Sequence, residues 1–321
     1  MTYRDHLDDE IRAFIAATAA HYTEALAPDD IEGQRRVYDA MARAFHHGYP
    51  DGVAALDGTI AGVPVRRYGP GAGAAFGAGG PVVLYLHGGG FVLGGLDSHD
   101  DVCAEIAAAT GLEVIAADYR LAPEHVHPAQ VDDALAVARA LAAEGPILLC
   151  GDSAGGTLAA AVAAEIRASV AGVVLIYPSL GLHAPPYPPD SSLVRQARAP
   201  MLTTADMEAY ARLRFGGDPV PDPRAFPLLG DDFAGMPPVL ALAAECDPLA
   251  DDVPAYVARL RAAGVEAEGA VEPGLVHGHL RARHRSAKAA ASFARVCAAL
   301  AEFAARPARG GGGATGAAET A

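Results

Sequence analysis

The sequence predicts an α/β protein with a mostly parallel central sheet flanked by helices and a helical cap. Short apolar runs at 112–117, 147–150 and 239–244 alternate with helix-favouring segments, the pattern of strands buried on both faces of a parallel sheet. The alternation lapses over residues 1 to about 50 and again over 183–227, as it would where helices are laid over the core. With 321 residues, 51% of them hydrophobic, the chain is long enough for one large domain and a small accessory element.

Taken in order, residues 1–50 carry Ile11, Phe14 and Ile15, then Val37, Tyr38, Met41 and Phe45, at helical spacing, and are expected to form part of the cap. The first part of the core, 51–182, opens with a sheet-edge hairpin at 53–68 and a Gly/Ala loop at 69–80. A strand at 81–86 runs into His87-Gly88-Gly89-Gly90. A helix at 98–110 stops at Gly111, a strand follows at 112–117, residues 118–125 make a scaffolding loop, and 131–143 are helical. The strand at 147–150 passes through Gly151-Asp152-Ser153-Ala154-Gly155 into an alanine-rich helix, and 171–177 form the next strand. The cap insertion, 183–227, holds a proline- and serine-rich loop, a threonine-capped helix at 203–215 and a second loop. The core resumes over 228–305 with a strand at 239–244, a helix at 251–263, the last strand at 265–271, a loop at 272–279 and a final helix. Residues 306–321 read as a low-complexity, disordered tail.

A net charge of −15 argues against a nucleic-acid partner and against an anionic membrane surface. Arg4, Asp5, Asp8, Asp9, Glu10 and Arg12 interrupt the apolar core that a signal peptide would need. No apolar run approaches a membrane span, so the expectation is a cytoplasmic protein without stable membrane association. Cys103, Cys150, Cys246 and Cys297 make no CxxC pair and are read as buried free thiols.

Gly151-Asp152-Ser153-Ala154-Gly155 has the spacing of a nucleophile elbow, a sharp strand-to-helix turn that exposes the serine hydroxyl at the strand's end. The flanking glycines stand where the backbone passes too close to its neighbours for a β-carbon. A serine hydroxyl is a weak nucleophile at neutral pH, so it needs a base, and the base needs a partner to fix its tautomer. The loop at 87–90 fits an oxyanion hole, with Gly88, Gly89 and Ala154 as backbone N–H donors and His87 as a structural residue. On α/β-hydrolase scaffolds the order is Ser, then Asp or Glu, then His. Asp247 and His277 each follow a strand and take those places. Glu245, Asp251 and Asp252 are rivals for the acid, the last two better explained by the helix dipole. His279 and His284 are rivals for the base, His284 being placed on the terminal helix.

His87-Gly88-Gly89-Gly90, Asp118-Tyr119-Arg120-Leu121-Ala122-Pro123-Glu124, Gly151-Asp152-Ser153-Ala154-Gly155-Gly156, Asp247-Pro248-Leu249 and His277-Gly278 together resemble the hormone-sensitive-lipase-like family of carboxylesterases, over roughly residues 60 to 300. The resemblance implies a capped α/β-hydrolase fold and hydrolysis of short- to medium-chain acyl esters of small molecules, with no metal and no cofactor. It leaves a homodimer through the last strand open to this chain. An amidase, N-deacetylase or lactonase on the same three residues is the alternative activity. A non-catalytic receptor of this fold is disfavoured because His277 is present. The family usually has an aromatic residue after His-Gly; here stands His279.

Overall fold

The computed structural model describes residues 5–23, 26–27, 29–70 and 80–307. The Gly/Ala segment at 71–79 and the tail beyond 307 lie outside them. One sheet of eight strands organises the chain: β1 (Val53–Ile60), β2 (Val63–Pro70), β3 (Val82–Leu86), β4 (Val114–Ala117), β5 (Ile147–Asp152), β6 (Val170–Ile176), β7 (Val239–Cys246) and β8 (Ala267–Val276), in the order β1-β2-β4-β3-β5-β6-β7-β8. β1 and β2 form an antiparallel edge hairpin, β2 pairs antiparallel with β4, and all the other pairings are parallel.

The central strands are apolar throughout because both faces are covered. Leu84, Leu86, Leu149, Val173 and Ala241 face one cluster with α4 (Ala129–Ala142), α5 (Ala154–Glu165) and α8 (Asp252–Ala262). Val83, Tyr85, Leu148, Val174 and Leu240 face the opposite cluster with α3 (Asp100–Thr110) and α9 (Ala287–Ala305). Alternation of period two along each strand assigns its residues to the two cores. A third cluster joins α1 (Asp9–Ala19) and α2 (Ile31–Phe45) to Val92, Leu93, Cys246, Leu275 and Val276, at the carboxyl ends of β3, β7 and β8. α7 (Thr204–Phe215) starts at a capping box in which Thr203 and Asp206 satisfy each other's backbone N–H groups. Tyr210 and Leu213 of this helix pack on the same third cluster. All four cysteines are free and buried. Among the described residues no helix is long and apolar enough to cross a membrane.

Three elements differ from the sequence expectation. β8 continues to Val276 through the segment read as a loop. A register shift between Ala244 and Cys246 absorbs Pro273 and Gly274, whose presence argues against a strand, and Gly274 N–H donates to Glu245 at 2.8 Å. His284 lies in the turn before α9 rather than on it, 2.8 Å from the Glu105 carboxylate. Within the proline- and serine-rich stretch, Ser192–Arg195 form a one-turn helix, α6, tied to Asp251: Ser192 N–H donates at 2.6 Å and Arg195 at 3.0 Å.

Phe303 of α9 fills the space above β6 left by Gly172, where a β-carbon would meet the Phe303 ring. Phe303→Ala is expected to cost about 3 kcal/mol or more of stability, the range for large-to-small aromatic changes in a core. Urea unfolding should show a lower midpoint with an unchanged slope.

Candidate active site

β5 delivers Ser153 into a strained turn. Its backbone lies at φ +52°, ψ −118°, and its N–H donates to Ile176 of β6 at 2.8 Å. A non-glycine residue holds such a conformation only where its surroundings enforce it. Here they do: β-carbons at Gly151 and Gly155 would collide with the Gly155 and Leu86 carbonyl groups respectively, so α5 turns away from β5 within contact distance of β3.

β7 and β8 bring the other two residues to the same edge. Asp247 is fully buried and accepts Leu249 N–H at 3.0 Å through Oδ1. Its Oδ2 lies 2.7 Å from His277 Nδ1, and His277 Nε2 lies 2.9 Å from Ser153 Oγ. A carboxylate opposite Nδ1 selects the tautomer in which Nδ1 carries the proton and Nε2 accepts from the serine hydroxyl. Tyr177, the residue after β6, packs its ring 4.8 Å from His277. The structure thus brings Ser153, Asp247 and His277 together, and leaves Glu245, Asp251, Asp252, His279 and His284 outside that chain of hydrogen bonds.

The loop after β3 requires a correction to the expected donors. Gly88 N–H does not point at the serine; it donates to Asp152 Oδ1 at 2.9 Å. Gly89, Gly90 and Ala154 line the cavity beside Ser153, whereas Gly88 does not. The loop is pinned from several sides. Tyr119 donates to the His87 carbonyl at 2.6 Å, and the His87 ring stacks on Tyr119 with centroids 4.3 Å apart. Gly89 C=O accepts from Leu93 N–H at 2.8 Å. Gly89 and Gly90 adopt φ +126° and +63°, open to glycine at little cost. His87 is structural, its pKa lowered to about 4 by burial and by the neighbouring His99.

Asp152 is the residue that sequence reasoning missed. It is buried and accepts from Tyr85 OH at 2.9 Å as well as from Gly88, with His99 Nε2 3.2 Å away. Burial works to raise its pKa, but the His99 ring and these hydrogen bonds outweigh it and hold the carboxyl well below the usual range. Its position before the serine was the available signal. A second histidine–aspartate pair was also missed: His183 Nε2 lies 3.0 Å from Asp252, which accepts Leu180 N–H at 2.7 Å and Gly181 N–H at 3.1 Å. Burial disfavours the charged ring of His183, yet Asp252 more than offsets this and raises its pKa.

The cavity above Ser153 measures about 680 Å³. Ile15, Thr18 and Tyr38 from α1 and α2 line it, as do Met201, Tyr210 and Arg214 from the segment 183–227.

The family model described as the alpha/beta hydrolase fold matches residues 83–281. Esterase LipI of Mycobacterium tuberculosis is 38% identical over 211 residues, 62% of this chain and 66% of LipI, so the match spans just under two thirds of that relative. The ethyl acetate hydrolase of Pseudomonas putida is 38% identical over 242 residues, 68% of this chain and 72% of its own. A crystal structure of an esterase from the bacterial hormone-sensitive lipase family superposes with TM-score 0.82 at 30% identity, covering 92% of this chain and 98% of that one. The chain belongs to the hormone-sensitive-lipase-like family of the α/β-hydrolase superfamily.

His279, at the position where the resemblance leads an aromatic residue to be expected, packs as a ring. It is 1% exposed, and its ring meets Tyr177 edge-on at 4.9 Å. Nδ1 lies 3.0 Å from the Val276 carbonyl and Nε2 3.1 Å from the Ser292 hydroxyl. Burial lowers its pKa to about 4, so it stays neutral where an unfolded-state histidine near 6.5 begins to charge. The unfolded chain therefore binds more protons between these values, and stability falls as pH drops from about 6.5 towards 4. His279→Phe is expected to flatten that acid limb without abolishing it, because His87 contributes in the same sense. Urea midpoints of both proteins between pH 4.5 and 7.5 check this; parallel curves would contradict it.

Proposed function

We propose that this chain is a serine carboxylesterase that hydrolyses short- to medium-chain acyl esters through an acyl-enzyme. The observation that carries the reading is the continuous hydrogen-bond chain Asp247–His277–Ser153, at 2.7 and 2.9 Å, opening into a cavity lined by Gly89, Gly90 and Ala154. Relatives named as esterases and as an ethyl acetate hydrolase support the ester as substrate.

Ser153 Oγ attacks the ester carbonyl while His277 Nε2 takes its proton, and Asp247 holds the ring and stabilises the imidazolium. The carbonyl oxygen becomes an oxyanion facing the N–H groups of Gly89, Gly90 and Ala154, at the positive end of α5. His277 then protonates the departing alcohol. Water repeats the sequence on the acyl-enzyme, releasing the acid and restoring Ser153. α1, α2 and the segment 183–227 act as the cap that selects acyl and alcohol groups. The same reading carries a homodimer through β8, the outer strand of the sheet.

Ser153→Ala is expected to lower kcat for p-nitrophenyl butyrate by at least about 10³-fold, the loss of the nucleophile leaving only binding and oxyanion stabilisation. His277→Ala should do likewise, whereas His279→Ala should retain measurable turnover. Retained turnover in Ser153→Ala, or loss confined to His279→Ala, would refute the assignment. Profiling amides and lactones beside esters separates the amidase and lactonase alternatives.

A further inference from the structure

Arg214, in the last turn of α7, is 2% exposed and lines the cavity. Burial lowers its pKa to about 9, still leaving it charged at neutral pH. Its guanidinium carbon sits 3.6 Å from the centroid of the Phe91 ring, with Phe215 and Phe226 at 5.8 and 5.9 Å. One hydrogen bond satisfies it, from Nη1 to the Ala225 carbonyl at 3.1 Å. Nε and Nη2 are buried without a hydrogen-bond partner among the described residues.

Those two nitrogens form one edge of the guanidinium plane, the edge that binds two-oxygen groups side-on. This chain uses it so elsewhere. Arg120 gives Nε and Nη2 to Asp133 at 2.8 and 2.7 Å, and Arg283 gives the same pair to Glu105 at 2.8 and 2.7 Å. No carboxylate of the described residues does this for Arg214. Asp222 is engaged by His127 at 2.8 Å, Asp206 by the Thr203 cap, and Asp152 by the donors beneath the serine. Burying a charged fork without an acceptor is unfavourable, and an incoming carboxylate would relieve it.

Building on the esterase reading, we propose that the preferred esters carry a carboxylate in addition to the scissile bond, held side-on by Nε and Nη2 of Arg214. His183, backed by Asp252, is a second basic group on the cavity wall. Leu93, Met201 and Tyr210 supply apolar surface for the carbons between the two functional groups. The overall charge of −15 opposes an anion at long range. That field is screened beyond about 8 Å at physiological salt, whereas a buried contact is not.

The test compares ethyl hydrogen glutarate with ethyl hexanoate, its neutral counterpart of similar length, by ethanol release from the full chain. The wild type is expected to favour the anionic ester at least about tenfold in kcat/KM, the scale of one charged hydrogen-bonded pair. Arg214→Gln should reduce that ratio to near one. Arg214→Lys, which keeps the charge but loses the fork, should fall between. A wild-type preference for the neutral ester, or a ratio unchanged in Arg214→Gln, overturns the proposal. Should Arg214→Gln not fold, wild-type inhibition decides: glutarate must compete against ethyl hexanoate more strongly than glutaramide does, and equal inhibition overturns the proposal. Failure to hydrolyse any ester, p-nitrophenyl butyrate included, would instead sink the esterase reading.

Discussion

The site depends on one buried carboxylate that stands outside the chain of hydrogen bonds joining Asp247, His277 and Ser153. Asp152 joins the last residue of β5 to Tyr85 of β3, to the backbone of the glycine loop at Gly88, and to His99 at the start of α3. Burial alone would drive the carboxyl to its neutral form. Only several donors arriving together offset that, and they arrive together because β3 lies beside β5 with Leu86 opposite Gly151. Ser153 is the next residue along a rigid peptide unit. The orientation of the serine and the path of the glycine loop are therefore set by the same group, and neither can move without disturbing the other.

The sheet provides the second level of order. Ser153, Tyr177, Asp247 and His277 are each the first residue beyond a strand, following β5, β6, β7 and β8. Parallel neighbours in the order β5-β6-β7-β8 place four such residues in a row at one edge. Residues 124 positions apart then meet at hydrogen-bond distance without any long excursion of the chain. Tyr177 belongs to this row as much as the polar residues do: its ring packs against both His277 and His279, with centroids 4.8 and 4.9 Å away.

Much of this was legible in the sequence, for a physical reason: strands buried on both faces must be apolar throughout, and a nucleophile elbow tolerates little but glycine at its flanks. The strand runs and the glycines around Ser153 follow from those constraints, whereas Asp247 and His277 are expected from the order of residues following successive strands. What was not legible depends on tertiary partners. Gly88 and Gly89 are indistinguishable as letters, and only the placement of Asp152 consumes the N–H of one. Pro273 and Gly274 look like a loop until the shifted register with β7 carries the strand through them. Asp251 and Asp252 read as helix-start acids, yet their carboxylates reach back to Ser192 and to Leu180, Gly181 and His183.

His277 and His279 show how far environment outranks residue type. They stand two positions apart and share the Tyr177 ring. His277 faces the fully buried carboxylate of Asp247 at 2.7 Å. His279 meets the Val276 carbonyl and the Ser292 hydroxyl, with the Glu272 carboxylate farther off at 3.7 Å and already engaged by Ser292 and Arg295, and it is buried on every side. At the second position burial disfavours the charged ring and lowers its pKa to about 4. The His279 ring thus packs edge-on against Tyr177 and stays outside the chain of hydrogen bonds that runs through His277.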